Sequence, residues 1–242
     1  MFDTFKNAWK VQELRKRLLY TLMILVIFRL GCAITVPFID PEKVGIGSTN
    51  LLSYLNMMSG GALSNGALFA LSVQPYINAS IIIQLLAVAI EPLGRLAKEG
   101  REGQRKMQRI TRYTGAGIAV VMGIGFYTLL RNGYGAVIYT SGWEGWFATA
   151  TIVSCFVAGS MLVTWLGEQI DEKGIGNGVS LLIFIGIVSR WSDVIGAVGG
   201  LITKAQQQPL YYIFLPLLVV FAIAVIVFVV ILNAAERPAF LK

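Results

Sequence analysis

Residues 71–91, LSVQPYINASIIIQLLAVAIE, are long and apolar enough to enter a membrane, yet they do not read as a plain spanning helix. Gln74 and Pro75 sit near the start, and Asn78, Ser80 and Gln84 lie inside. The preceding residues 56–69 are rich in Gly, Ser and Asn, too polar and too short to cross a bilayer alone. Lipid offers no partner to a free backbone N–H or C=O. Chain that leaves the helix at membrane depth must therefore be buried in protein or line a water-filled cavity. A half-length segment followed by a Pro-broken span reads as the wall of a pathway.

The surrounding composition agrees with a membrane setting. Of 242 residues, 56% are hydrophobic and 14% charged, with a mean hydropathy of +0.70. A soluble domain carries roughly 25% charge, so the pattern is that of an all-α polytopic membrane protein. There is no histidine, which removes the commonest general base and metal ligand. Cys32 and Cys155 both lie in apolar segments and read as small core hydrophobes. The basic start followed by an apolar run resembles a signal peptide, but the run is of full spanning length with no small-residue cleavage site after it. It reads as a retained first span.

Six spans are expected, at 18–36, 71–91, 113–130, 146–166, 179–199 and 210–232, with a half-length element at 51–70. Residues 1–17 read as an amphipathic surface helix, with Phe2, Phe5 and Trp9 on one side among Lys6, Lys10, Arg15, Lys16 and Arg17. Residues 94–112 read as a hydrophilic loop carrying Arg95, Lys98, Arg101, Arg105, Lys106, Arg109 and Arg112. Residues 167–178, GEQIDEKGIGNG, read as a short charged hairpin, and Trp143 and Trp146 suit an interfacial belt. The organisation is thus 1–17, then 18–199, then 200–242. Fifteen of the twenty Lys and Arg residues fall on one side of this topology, which makes that side cytoplasmic and puts both termini there.

Candidate chemistry is sparse. Arg29, within the first span, either faces a water-filled interior or snorkels to the outer interface; the sequence leaves both open. Glu91, followed by Pro92, reads as reaching headgroups. No span centre holds a pair of carboxylates, which argues against a proton relay or an intramembrane protease. The glycines at 174, 176 and 178 lack phosphate-loop spacing and read as a turn with helix caps. No metal, no cofactor and no catalytic residue is expected. Ile77 and Ile81 share one helix face, Ser80 and Gln84 another, and Ile183 and Ile187 repeat the four-residue spacing. Such apolar pairs are ordinarily lipid- or core-facing, though apolar constrictions also gate pores by dewetting.

Four separated stretches, FRLGCAITVPFID, SVQPYINASIIIQLL, KEGREGQRKMQRITRY and WLGEQIDEKGIGNGVSLLIF, resemble the SecY/Sec61α family of protein-conducting channel subunits, in the right order and spacing. The resemblance extends to about Glu236. It implies a passive central subunit of the Sec translocase in a bacterial inner membrane. Unfolded polypeptide would pass across the membrane or laterally into lipid, driven by the SecA motor or a translating ribosome, beside SecE and SecG. It implies that Leu55, Asn56, Met57, Met58, Ser59, Gly60, Gly61, Ala62, Leu63, Ser64, Asn65, Gly66, Ala67, Leu68 and Phe69 form a plug closing the channel from outside. By composition that plug is a weak helix, easily displaced. Ile77, Ile81, Ile183 and Ile187 would belong to the apolar pore ring, and Asn78, Ser80 and Gln84 to the lateral gate used by signal sequences and nascent membrane segments. The residues at 94–112 would be a cytoplasmic basic loop. The family has ten spans in two inverted halves, so the implied fold is the N-terminal half plus one further span, the C-terminal half being truncated, split off or supplied in trans. Two other readings stand beside it: a small-solute secondary transporter with its site around residues 60–75, and a non-conducting membrane-protein insertase.

Overall fold

The computed structural model describes residues 11–44, 51–191, 195–196, 199–200 and 210–234. Residues 1–10 of the surface helix expected over 1–17, part of the loop at 45–50, the turn at 201–209 and the end at 235–242 lie outside the described residues, and the described part from Gln12 is continuous with the first span. Helix α1 is Gln12–Ala33, α2 Leu51–Met58, α3 Gln74–Ala89, α4 Glu91–Lys98, α5 Gly100–Asn132, α6 Gly142–Lys173, α7 Gly178–Val188 and α8 Leu210–Ala234. A short 3₁₀ turn, Pro41–Lys43, is capped by Asp40, whose carboxylate accepts from the Glu42 N–H at 3.2 Å.

Two compact units divide at Arg190 and Trp191. In the second, α8 is apolar all round with Pro216 inside, and its described side chains at 216–232 are all exposed. A helix without a polar face is one that a bilayer solvates on every side. Among the described helices, Glu102–Asn132 and Gly142–Lys173 are long and apolar enough to cross a membrane. The pair α3 and α4 qualifies only as one span bent by 105°. This is a multi-pass helical membrane protein with two clear spans, or three counting the bent pair.

Three sequence expectations change. The hydrophilic loop at 94–112 is helical: α4 runs through Arg95 and Lys98, and α5 begins at Gly100 and continues straight into the apolar span. Arg, Lys, Gln and Met are good helix formers, so charge alone does not end a helix. The hairpin at 167–178 shrinks to residues 174–177, because Glu168 to Lys173 extend α6. The fifth span, expected over 179–199, is interrupted: α7 ends at Val188, and its 11 residues cover about 16 Å, half the hydrocarbon thickness. Ser189 closes it, its N–H donating to the Ile185 carbonyl and its hydroxyl to that of Gly186.

In the first unit α3 lies along α5, α5 packs on α6, and α6 carries α1 and α7 on other faces. The buried stripe of α1 is Thr21, Ile24, Phe28, Gly31 and Cys32, at helical spacing. The centre of the unit is not a helix. Residues 59–73 run through it as consecutive turns, and Ala62, Leu63, Ala67, Phe69, Ala70, Leu71 and Val73 are all buried there. Phe28 stacks on Phe69 at 5.8 Å, and Ser160 of α6 donates to the Ser72 carbonyl at 3.2 Å.

Candidate functional site: the buried turn segment and its walls

The turn segment is shaped by its own polar residues. Gly60 and Gly61 take φ of +67° and +88°, a region that residues with a Cβ rarely adopt, and this ends α2 at Met58. Asn56 accepts the Ser64 N–H on its side-chain oxygen at 2.9 Å. Ser59 donates its hydroxyl to the Asn56 carbonyl at 3.0 Å and accepts the Leu63 N–H at 3.3 Å. Asn56 and Ser59 are buried, so these bonds replace water for groups that would otherwise each cost about 1–3 kcal/mol. The polarity that reads in sequence as a weak helix is the internal wiring of a compact turn.

Neighbouring elements hold the segment from several sides. The Leu68 N–H donates to the Ile34 carbonyl at 2.8 Å and the Val36 N–H to that of Gly66 at 3.0 Å, a strand-like pairing with the chain leaving α1. Gly159 lets α6 approach so closely that a Cβ there would stand 2.0 Å from the Leu68 carbonyl oxygen. On α7, a Cβ at Gly186 would meet the Met58 carbonyl oxygen at 2.5 Å, and Gln74 at the start of α3 donates to the Met58 sulfur at 3.3 Å. Residues 56–60 thus lie against the start of α3 and the end of α7.

Arg29 reaches the turn segment: its guanidinium donates to the Gly60 carbonyl at 3.1 Å. A charge-assisted bond contributes about 1.5–3 kcal/mol, comparable with the ~2.5–3.5 kcal/mol that an Arg costs at mid-membrane. Three residues along the same helix, the Cys32 thiol lies 3.6 Å from the Ser59 carbonyl oxygen.

The apolar quartet divides between α3 and α7. Ile77 and Ile183 are half-buried, Ile77 packing against the inner core, while Ile81 and Ile187 are exposed, at 51% and 39%. Ser80 and Gln84 share a face as expected, with Gln84 donating to the Ser80 hydroxyl at 3.3 Å, and Asn78 reaches the Met122 sulfur on α5 at 3.9 Å. Where α3 bends into α4, a cavity of about 1030 Å³ connects Gln84 with Glu91, Arg95 and Lys98.

The basic residues form a helical surface. Arg95 pairs with Glu91 at 2.7 Å and Lys106 with Glu102 at 3.6 Å, while Lys98, Arg105 and Arg109 are exposed and Arg101 lies between them in sequence. Arg112 is different: it forks onto both oxygens of Glu168, tying α5 to α6. Near that end of α6, Tyr20 donates to Gln169 at 3.2 Å and Thr21 accepts the Ile175 N–H at 3.1 Å. The Asp171 carboxylate takes the Gly178 N–H at 2.7 Å, and Asn177 caps α7 through the Ser180 N–H at 3.0 Å. Sequence spacing could flag the Asn177 cap, but not the pairing of Arg112 with Glu168, 56 residues apart.

A profile of the SecY family matches residues 67–240. The protein translocase subunit SecY of Escherichia coli K12 is 40% identical over 231 residues, covering 93% of this chain and 51% of that protein. The subunit of the same name from Lactococcus lactis IL1403 is 37% identical over 246 residues, covering 98% and 54%. That from a Buchnera aphidicola subspecies is 40% identical over 231 residues, covering 93% and 63%. The chain spans about half the length of the curated relatives it matches. A solved structure described as a protein conducting channel superposes with a TM-score of 0.52 at 20% identity, over 71% of this chain and 36% of that one, and so shares its fold.

Proposed function

The chain belongs to the SecY family, and from that membership we propose that it forms one wall and the plug of a polypeptide-conducting channel. The observation that carries the reading is the buried non-helical segment at 59–73, enclosed by helices and held by the Arg29–Gly60 bond. Irregular backbone of this kind at membrane depth belongs in protein or beside a water-filled path. In the closed state Leu55 to Phe69 block the path. Ile77, Ile81, Ile183 and Ile187 form this half's share of an apolar ring that seals around a moving chain by packing. Asn78, Ser80 and Gln84 line the lateral exit.

The fold in this reading is six transmembrane helices plus the half-length plug, one half of an inverted-repeat channel, organised as 1–17, 18–199 and 200–242. The second wall comes from a C-terminal half, and SecE and SecG flank the assembly. The basic helices α4 and α5 face the cytoplasm of a bacterial inner-membrane channel, where SecA or a ribosome delivers signal sequences and nascent chains. The protein is a conduit without catalysis of its own. Arg29, the charge on which a solute transporter would rely at mid-membrane, is engaged with the plug backbone, which favours the channel over that alternative.

The test is conductance of a channel assembled from this chain with a complementary C-terminal half, SecE and SecG in planar bilayers. Ile81→Ser combined with Ile187→Ser should raise resting ion leak at least several-fold. Leak indistinguishable from the unsubstituted channel would remove the ring assignment.

A further inference from the structure

At the end of the molecule opposite the basic helices, two loops are laced together. The Asp40 N–H donates to the Ala136 carbonyl at 2.8 Å, the Ile138 N–H to the Phe38 carbonyl at 3.1 Å, and Ile39 pairs with Val137. This lacing holds Phe38 at φ +67°, in the left-handed region that a bulky side chain rarely occupies. Backbone strain persists only where the surroundings over-determine it, and it concentrates at binding sites. Here it turns the Phe38 ring edge-on to Tyr139 at 5.8 Å and to Phe147 of α6 at 6.3 Å.

Those three rings, with Trp143 and Glu144, line an open cavity of about 420 Å³. Trp143 is 79% exposed and stacks on Trp146 at 5.9 Å. The Glu144 carboxylate has no hydrogen bond or ion pair among the described residues. Arg131, one helix end away, donates to the carbonyl of Thr140, the residue after Tyr139, and brings positive charge to the rim. Below the cavity, Phe147, Ala150, Ser154 and Ala158 form an exposed lane along α6, small beyond its first residue, running toward the middle of the helix.

We propose that this aromatic pocket binds the headgroup of a phospholipid carrying a primary ammonium, of the phosphatidylethanolamine class, in the outer leaflet. Aromatic faces attract a cation through the ring quadrupole. The unpaired Glu144 accepts hydrogen bonds from an N–H-bearing ammonium, which a quaternary amine cannot give. Arg131 suits the phosphate of the same zwitterion, and the lane on α6 accommodates acyl chain. A belt of interfacial aromatics needs neither the carboxylate nor the held Phe38. The outer-leaflet placement rests on the membrane orientation given under the proposed function; the pocket itself does not depend on the pore ring or the plug.

The experiment is lipid retention by the full chain in detergent, read by native mass spectrometry after mixing with phosphatidylethanolamine, its N-trimethylated form or phosphatidylglycerol. Phosphatidylethanolamine should be retained about five-fold over phosphatidylglycerol, with the trimethylated lipid between them. Glu144→Gln and Trp143→Ala should each bring that ratio near one. Trp165→Ala, about 33 Å along α6 from Trp143 and also exposed, should keep it. Excess free ethanolamine should leave retention unchanged; displacement by it would mean a soluble amine site and overturn the lipid assignment. Equal retention of the amine and glycerol lipids, a preference surviving Glu144→Gln, or one lost equally in Trp165→Ala would overturn the pocket. None of these outcomes alters the conductance expected of the ring substitutions, so the two proposals fail separately.

Discussion

Between Ser59 and Ala79 no apolar side chain is exposed, whereas between Ile81 and Ile90 only Ile83 is buried. The first region carries Gly60, Gly61, Ser64, Asn65, Ser72, Gln74 and Asn78; the second is nearly all Ile, Leu, Val and Ala. Ranked by hydrophobicity the order would be the reverse. In a bilayer an apolar helix gains little by burial against protein, because lipid is as apolar as Leu. Polar backbone and short polar side chains must find partners, and only packed protein provides them. The buried region is therefore the one that cannot face lipid, and the exposed one is free to meet lipid, a second wall or a moving chain.

The sharpest way to break this contrast is at Gly159. A methyl group there would stand 2.0 Å from the Leu68 carbonyl oxygen, a backbone atom that cannot move without disturbing the Leu68–Ile34 bond. Gly159→Ala should destabilise the chain by about 3–5 kcal/mol, among the largest single-residue effects. At Gly123 a Cβ would find its nearest neighbour at an ordinary 3.7 Å, so Gly123→Ala should be neutral or slightly stabilising. Thermal unfolding of both variants in the same detergent measures the difference. Equal behaviour would mean that residues 59–73 are not held by α6.

The middle-sized effect is at Arg29. Arg29→Met leaves the Gly60 carbonyl without its donor, a loss of about 1–3 kcal/mol, but also relieves the charge of its membrane cost. The net loss of stability should be near 1 kcal/mol. The clearer readout is local: amide exchange at Gly61 and Leu63 should quicken at least ten-fold while that of Phe156 and Val163 in α6 stays constant. Arg29→Lys should fall between. Unchanged exchange at Gly61 would show that the turn segment is held by its internal bonds alone.

How far these features were legible in the sequence depends on the range of the interaction. The all-helical class and the presence of a half-length element between the first two spans follow from local composition, though its helix stops at Met58, short of the expected Ala70. So does the face shared by Ser80 and Gln84, because helix periodicity is local. Four family motifs were visible because their residues are contiguous. What escaped depends on distant partners. The stretch 55–69 looked weakly held because propensity counts only the chain's own helix, while Phe28, Ser160 and Gly159 supply packing to residues 68–72 from 41, 88 and 91 positions away. The basic stretch at 94–112 looked like a loop because charge was read as a break, yet its residues are good helix formers with Glu91 and Glu102 one turn from Arg95 and Lys106.

The smallest expected effect tests the exposed side of the contrast. Ile81 and Ile83 are two positions apart on α3 with the same side chain, yet one is 51% exposed and the other 5%. Ile81→Ser should change the stability of the isolated chain by no more than about 0.5 kcal/mol, and Ile83→Ser should serve as the buried reference, clearly less stable. Thermal unfolding resolves the pair. A near-zero effect at Ile81 is what makes its substitution usable in the conductance test of the proposed ring, since a leak would then not arise from a loosened fold. A large loss at Ile81 would place that side chain in the packed half, and the exposed face of α3 would have to be redrawn around Leu85 and Val88, which is 90% exposed.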